Sequence, residues 1–538
     1  MPVDVLVHSA APSSSSAELG NLPEWDLSDL YPSMDGPEVS EDLKAGLDRA
    51  KTFETSYKGR LGELAQDNVP ALLTAIRAYE DLEDHLGRII SYAGLVYSGN
   101  TTDPSAQKFY GDVQEQITTA SSHLLFFTLE LNRIEDAVIE AALKTPGLDH
   151  YRPWIEDLRK EKPYQLEDRV EQLFHEKSVT GRGAWNRLFD ETIATLTFDV
   201  EGAELGIEPT LNFLQDSAPE KRQAAAEALT KTFSENVRTF TLITNTLAKD
   251  KEISDRWRKF SDIADSRHLA NRVEREVVDA MVSSVREAYP RLSHRYYALK
   301  AKWLGADQLN FWDRNAPLPQ ADTRVIPWGE AKDTILSAYN AFSPDMAEIA
   351  GRFFDKNWID APARSGKAPG AFAHPTVPSA HPYVLVNYQG KIRDVMTLAH
   401  ELGHGVHQVL AKDQGEMLSS TPLTLAETAS VFGEMLTFRK MLEKAKTKEE
   451  RKVLLAGKVE DMINTVVRQI AFYDFECKLH AARAEGELTP EDINALWMSV
   501  QAESLGDGFD FMEGYETFWA YIPHFVHSPF YVYAYAFG

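Results

Sequence analysis

His400-Glu401-Leu402-Gly403-His404 sets two imidazoles four residues apart, with a carboxyl directly after the first. On an α-helix, positions i and i+4 differ by about 40° around the axis, so both rings face one way and can grip one metal ion. Glu401 then lies beside whatever water that metal holds. Zinc lowers the pKa of a bound water toward about 7, and a carboxylate so placed can take its proton and later hand it to a leaving amine. The chemistry implied is metal-assisted hydrolysis of a peptide bond, with no nucleophilic side chain required.

A helix must carry these groups. Ile392, Val395, Met396, Ala399, Leu402, Val406, Val409 and Leu410 recur at intervals of three and four, which predicts an amphipathic helix. Gly390 precedes the run and Gly415 follows it, the punctuation expected at helix ends. Gly403 inside the helix costs up to about 1 kcal/mol against alanine, so its presence predicts that something approaches its backbone closely, as at a crowded metal site.

Catalytic zinc takes three protein ligands and leaves one position open. His407 continues the histidine face, but it lies roughly 10 Å along the axis from His400, too far to share an ion bound at about 2 Å. The elongated zinc motif would need glycine at 407 and histidine at 410; this chain has His407 and Leu410, so that class is excluded. Glu427 is the better candidate. It lies in Thr424-Leu425-Ala426-Glu427-Thr428-Ala429-Ser430, which reads as a second helix opened by Pro422 after a Thr421 cap. Ala426, Ala429 and Ser430 are small enough for this helix to pack closely on the first. The competing assignment is a capping box of Thr424 and Glu427, with Glu427 facing water.

Taken together, His400-Glu401-Leu402-Gly403-His404-Gly405-Val406-His407 and Leu425-Ala426-Glu427-Thr428-Ala429-Ser430-Val431-Phe432-Gly433-Glu434 resemble oligoendopeptidase F, of the thimet-oligopeptidase family of zinc metallopeptidases. Trp25-Asp26-Leu27-Ser28-Asp29-Leu30-Tyr31, Arg267-His268-Leu269-Ala270-Asn271 and the segment 383–388 are similar to the same family, so the resemblance spans nearly the whole chain. It implies His400, His404 and Glu427 as ligands of one zinc ion, Glu401 as the base, and short unfolded peptides cut internally as substrates. The implied fold is mostly α: a large helical, two-lobed peptidase with a deep substrate channel and a small β-sheet beside the zinc-binding helix. In this family a histidine and tyrosines near the C-terminus approach the substrate carbonyl, where the developing oxyanion needs a donor. The candidates here are His524 or His527, with Tyr531, Tyr533 and Tyr535. Each tyrosine could equally pack in a helix core with its hydroxyl bonded. A zinc carboxypeptidase, or a catalytically weak peptide-binding protein that retains zinc, are the alternatives to an endopeptidase.

Upstream of the histidine helix, residues 365–372 read as a flexible loop and 381–390 as a β-branched, aromatic strand. As an edge strand it would pair with an extended peptide through main-chain hydrogen bonds and so accept many sequences. Gly370, Ala371, Phe372, Tyr383 and His407 are the expected substrate contacts. Metal-bound histidines give their second ring N–H to a carboxylate or carbonyl. Asp394 and Glu434 are the nearest acids for this, Glu434 lying seven residues after Glu427 and so on its face. Arg267 and His268 read as parts of a structural salt bridge.

The length of 538 residues suits three or four ordinary domains or one large helical enzyme, and 43% hydrophobic content supports a substantial core. A net charge of -26 argues against a nucleic-acid or anionic-membrane surface. No run approaches the about 18 apolar residues of a membrane span. No Lys or Arg precedes Lys44, and residues 3–7 are too short and too interrupted for a signal core. With Cys477 as the single cysteine, a reducing cytoplasm is expected; the oligomeric state is not legible. Residues 1–22, with a serine tract at 13–16, read as a flexible tail, 23–205 as an N-terminal helical domain, and 206–538 as the catalytic domain. The boundary is suggested by β-prone 195–200 and turn-rich 206–209. Residues 107–134 read as helix, and Ala218-Pro219-Glu220 opens another helical region. There is no repeat of 20 to 50 residues. The chain ends at Gly538 inside an aromatic segment where relatives generally continue, so a shortened catalytic domain is expected.

Overall fold

The computed structural model describes residues 18–319, 324–511 and 513–538; the serine tract at 13–16 lies outside the described residues. The chain is mostly helical, with a few short strands. Helix Val69–Gly99 shows how the sequence dictates this: Asn68 accepts the Ala71 N–H at its start, and Pro70 occupies the first turn, where a missing N–H is harmless. Leu72, Ala75, Ile76, Leu82, Leu86, Ile89 and Ala93 then bury one stripe. The helix Pro219–Arg258 opens at Pro219 as expected and stops where Lys259 turns left-handed at φ 64°. The helix expected over 107–134 is instead two, Pro104–Ser122 and Leu125–Arg133. At the break the Ser121 and Ser122 hydroxyls bond back to the Ile117 and Thr118 carbonyls, and Glu54 draws His123 aside at 2.6 Å.

The strands among the described residues are β1 (Phe198–Val200), β2 (Ala203–Leu205), β3 (Leu309–Asn310), β4 (Ile359–Pro362), β5 (Phe372–His374), β6 (Tyr383–Tyr388) and β7 (Phe509–Asp510). β1 and β2 form an antiparallel hairpin, and β3 pairs in parallel with β7. The sheet that leads into the histidine helix has the order β4-β6-β5, with β6 parallel to β4 and antiparallel to β5. The segment expected as an edge strand is therefore the interior one, paired on both sides; the edges belong to β4 and β5.

The hydrophobic cores cross the boundary expected near residue 205. One core joins Leu30, Tyr31, Val39, Tyr92 and Val113 to β6 and to Val395, Leu398 and Leu402 of the histidine helix. Another joins Phe189, Phe198 and Val200 to Phe233, Phe475, Trp497, Phe530 and Tyr533. Nor is the tail loose throughout: Leu19 and Leu22 pack against the first of these cores, and the Leu19 side chain leaves no room for a Cβ at Gly390. No helix among the described residues is long and apolar enough to cross a membrane.

The histidine helix runs Ile392–Ala411 and the carboxylate helix Leu423–Lys444, matching the periodicity. They touch backbone to backbone. A Cβ on Gly403 would lie 2.6 Å from the Ala429 carbonyl oxygen and 2.8 Å from the Ser430 Cα, while one on Gly433 would lie 3.0 Å from the Ala399 carbonyl oxygen. Gly405 takes the Phe353 ring in the same way, at 2.6 Å. Each helix thus offers a glycine to the other's main chain. Gly403→Ala should lower unfolding stability by about 1–3 kcal/mol in chemical denaturation. Gly351→Ala, in a helix where an added Cβ meets nothing within 4 Å, should instead be neutral or gain up to about 1 kcal/mol. Equal effects of the two would contradict a tight crossing.

Candidate active site

The crossing brings Glu427 against both histidines. Glu427 Oε2 lies 3.3 Å from His400 Nε2 and 3.6 Å from His404 Nε2, and one ligand atom from each of the three residues falls within 4.8 Å of the others. Ligands about 2.0–2.1 Å from a tetrahedral zinc stand about 3.3–3.4 Å apart, so the two carboxylate–imidazole separations are close to edges of such a tetrahedron. Two imidazoles and one carboxylate are also a known donor set for catalytic zinc. Glu427 is only 2% exposed, and Thr424 donates its hydroxyl to the Asn271 carbonyl at 3.2 Å, so the solvated capping box does not form. His407 is absent from the cluster; its Nε2 meets Thr421 Oγ1 at 2.8 Å.

The electrostatics of the pocket favour a cation. Burial opposes charge on His400, but hydrogen bonds with Glu427 and Glu434 and the charge of Glu401 prevail and push its pKa up to about 10. Burial opposes ionisation of Glu427 too, yet His400, His404 and Tyr531 hold its carboxyl down at about 2. His404 is held down to about 4, chiefly by burial. Burial pushes Glu401 up to about 7, with the charge of His400 pulling the other way. A carboxyl poised there is suited to taking and returning a proton near neutral pH.

Of the two acids expected behind the ligands, one is there. Glu434 Oε2 lies 3.4 Å from His400 Nδ1. Asp394 instead accepts the Gln389 and Lys391 N–H groups at 2.8 and 3.0 Å, which fastens the start of the histidine helix after the strand. The C-terminal candidates also divide. Tyr531 donates its hydroxyl to Glu427 Oε1, His524 stacks on the Tyr531 ring at 5.5 Å, and His524 Nε2 meets the Tyr535 hydroxyl at 3.0 Å. These three form one group beside the ligands. His527 turns away to Asp190 at 2.7 Å. Tyr533 is buried in the core, its hydroxyl taking the Asn271 amide at 2.8 Å and meeting His268 Nδ1 at 3.1 Å. No salt bridge forms from Arg267 or His268 in the described residues; Arg267 Nε donates to the Pro529 carbonyl at 3.0 Å, and with Tyr533 it ties down the segment that carries the aromatic group.

On the approach side, the Gly370 N–H donates to Glu208 at 2.7 Å and its carbonyl accepts from Asn387 at 2.9 Å. Ala371 leads into β5, which opens at Phe372, its ring 6.4 Å from Trp25. Gln408 of the histidine helix donates to the Ala373 carbonyl at 3.1 Å. Tyr383 is not a surface contact: its ring is fully buried and its hydroxyl donates to the Asp26 carbonyl at 2.9 Å. Sequence reading took Ser430 only as a small packing residue and missed that its hydroxyl donates to Glu427 Oε2 at 3.0 Å, although its place one turn after Glu427 was a usable signal. It also missed Tyr339, which donates to the Ala399 carbonyl at 2.6 Å, and Gln408. Glu427→Ala should weaken zinc binding by about 10²-fold or more, and His407→Ala by less than about threefold, in chelator competition; the reverse order would show that the cluster is not the metal site.

The family model described as Peptidase family M3 matches residues 212–538, more than half the chain, and the one described as Oligopeptidase F matches residues 130–198. Oligopeptidase PepF of Bacillus subtilis (strain 168) is 28% identical over 524 residues, covering 96% of this chain and 77% of that protein. Group B oligopeptidase PepB of Streptococcus agalactiae is 26% identical, covering 96% and 85%. Among solved structures, oligoendopeptidase-F from Enterococcus faecium superposes with a TM-score of 0.69 at 21% identity, covering 93% of this chain and 86% of that one. PZ peptidase A superposes with a TM-score of 0.76 at 16% identity, covering 95% and 87%. With its histidine and carboxylate helices inside the matched region, the chain belongs to peptidase family M3 and is a metallo-oligopeptidase of the oligoendopeptidase F type.

Proposed function

We propose that the chain is a zinc-dependent oligoendopeptidase that cuts internal bonds of short, unfolded peptides. The observation that carries this reading is the convergence of His400 Nε2, His404 Nε2 and Glu427 Oε2, with the buried Glu401 one residue along the same helix. A zinc ion held by these three residues supplies Lewis acidity toward a peptide carbonyl and acidifies water. Glu401 accepts the proton of the attacking water and returns it to the leaving amine nitrogen. Tyr531, Tyr535 and His524 stand beside Glu427 and supply hydroxyl and ring donors to the oxygen that becomes negative, a role worth a few kcal/mol at comparable sites. Glu434 orients His400. The peptide lies along β5, an edge of its sheet close to the histidine helix, and main-chain pairing at an edge tolerates varied side chains. One free cysteine, Cys477, fits work in a reducing cytoplasm.

Mass spectrometry of a mixed peptide library incubated with the zinc-loaded chain and with its Glu401→Gln variant tests this reading. Internal cuts in the wild type, reduced by about 10²–10⁴-fold in a variant that still holds zinc, are expected. Stepwise loss of C-terminal residues would indicate a carboxypeptidase. No cuts from a folded, zinc-containing chain would indicate a peptide-binding protein, and undiminished cutting by Glu401→Gln would remove Glu401 as the base.

A further inference from the structure

Lys458 has no part in the reading above, yet it is buried and aimed at the site from behind. It comes from the helix Lys448–Ile463, which follows the carboxylate helix. Its side chain is 8% exposed, its ammonium pairs with Glu434 Oε1, and it sits 5.9 Å from the centre of the Phe438 ring. Phe438 is one turn beyond Glu434, so the same helix face supplies both the charge and the aromatic surface that receive the lysine. The other oxygen of that carboxylate, Glu434 Oε2, lies 3.4 Å from His400 Nδ1. One carboxylate thus divides its oxygens between a buried cation and a ring nitrogen of a metal-ligating histidine. Among the described residues, His404 has its carboxylate contact at Nε2 only, whereas His400 has one at each ring nitrogen.

The physical consequence concerns aim. A buried carboxylate without a partner takes a proton or swings toward water. With Lys458 on one oxygen, Glu434 cannot turn its second oxygen from His400 without breaking the ion pair. An acceptor held at Nδ1 fixes the plane of the ring, with Nε2 turned toward Glu427. We propose that Lys458 is a positioning residue for His400, acting through Glu434 to set the ring's direction for the metal. This rests on the assignment of His400 as a zinc ligand.

The test is zinc affinity, measured by chelator competition, together with the visible spectrum of the cobalt-loaded chain. K458M should weaken zinc binding about tenfold, as does loss of a partner behind a metal ligand, and shift the cobalt bands; K458R should stay within about threefold of wild type. In an E434Q background K458M should add less than about twofold, because the two residues act as one unit. Circular dichroism establishes folding; if K458M does not fold, K458Q, a polar side chain one atom shorter and without the charge, takes its place with the same expected loss. Wild-type zinc affinity and unchanged cobalt bands in K458M would overturn the proposal, as would an equal loss in the E434Q background. A wild-type chain that binds no zinc would instead defeat the zinc assignment itself, and the proposal with it.

Discussion

The closeness with which two helices cross governs everything at this site. Ala429 and Ser430 lie where a side chain at Gly403 would be, and the Ala399 carbonyl lies near where one at Gly433 would be. A carboxylate side chain is short, and Glu427 reaches both histidines only because the main chains are in contact. Tyr339 reinforces the arrangement by donating to the Ala399 carbonyl at the crossing. The helical preference lost at a mid-helix glycine, up to about 1 kcal/mol, is offset by the packing that the bare backbone allows. Geometry and composition are therefore one constraint: a larger residue at 403 moves the carboxylate helix, and with it the third donor.

Burial then converts that geometry into chemistry. Three carboxylates, from Glu401, Glu427 and Glu434, surround two imidazoles in a setting where unpaired charge is costly. The same burial acts differently on each. Glu427 keeps its charge because the histidines face it, whereas Glu401 has weaker compensation and is raised to about 7. Two acids 26 positions apart in sequence are thereby held at very different pKa values, a difference set by neighbours and not by residue type.

Much of this was legible from local spacing. The i, i+4 histidines, the glycine between them and the small residues around Glu427 specify a face and a close contact, and both helices run where periodicity places them. What spacing could not supply was direction over long separations. Tyr531 lies 104 positions from Glu427, and of three nearby tyrosines the sequence gives no reason for Tyr533 to turn into the core while Tyr531 reaches the ligand. His524 and His527 are both plausible by type, but Asp190, 337 positions away, claims His527. Asp394 shows a different limit: an acid near a histidine in sequence serves the nearer backbone N–H groups first. The position of β6 inside its sheet depends on partners β4 and β5, which a single strand's alternation does not reveal.

Zinc-edge anomalous diffraction from crystals of the metal-loaded chain would test most directly whether the helix crossing builds the metal centre. The expected result is one strong peak within about 2.0–2.2 Å of His400 Nε2, His404 Nε2 and a Glu427 oxygen, with the Gly403 and Gly433 contacts unchanged. A peak held by His407, or one bound by the two histidines with Glu427 withdrawn, would contradict the assembly of the site by that crossing.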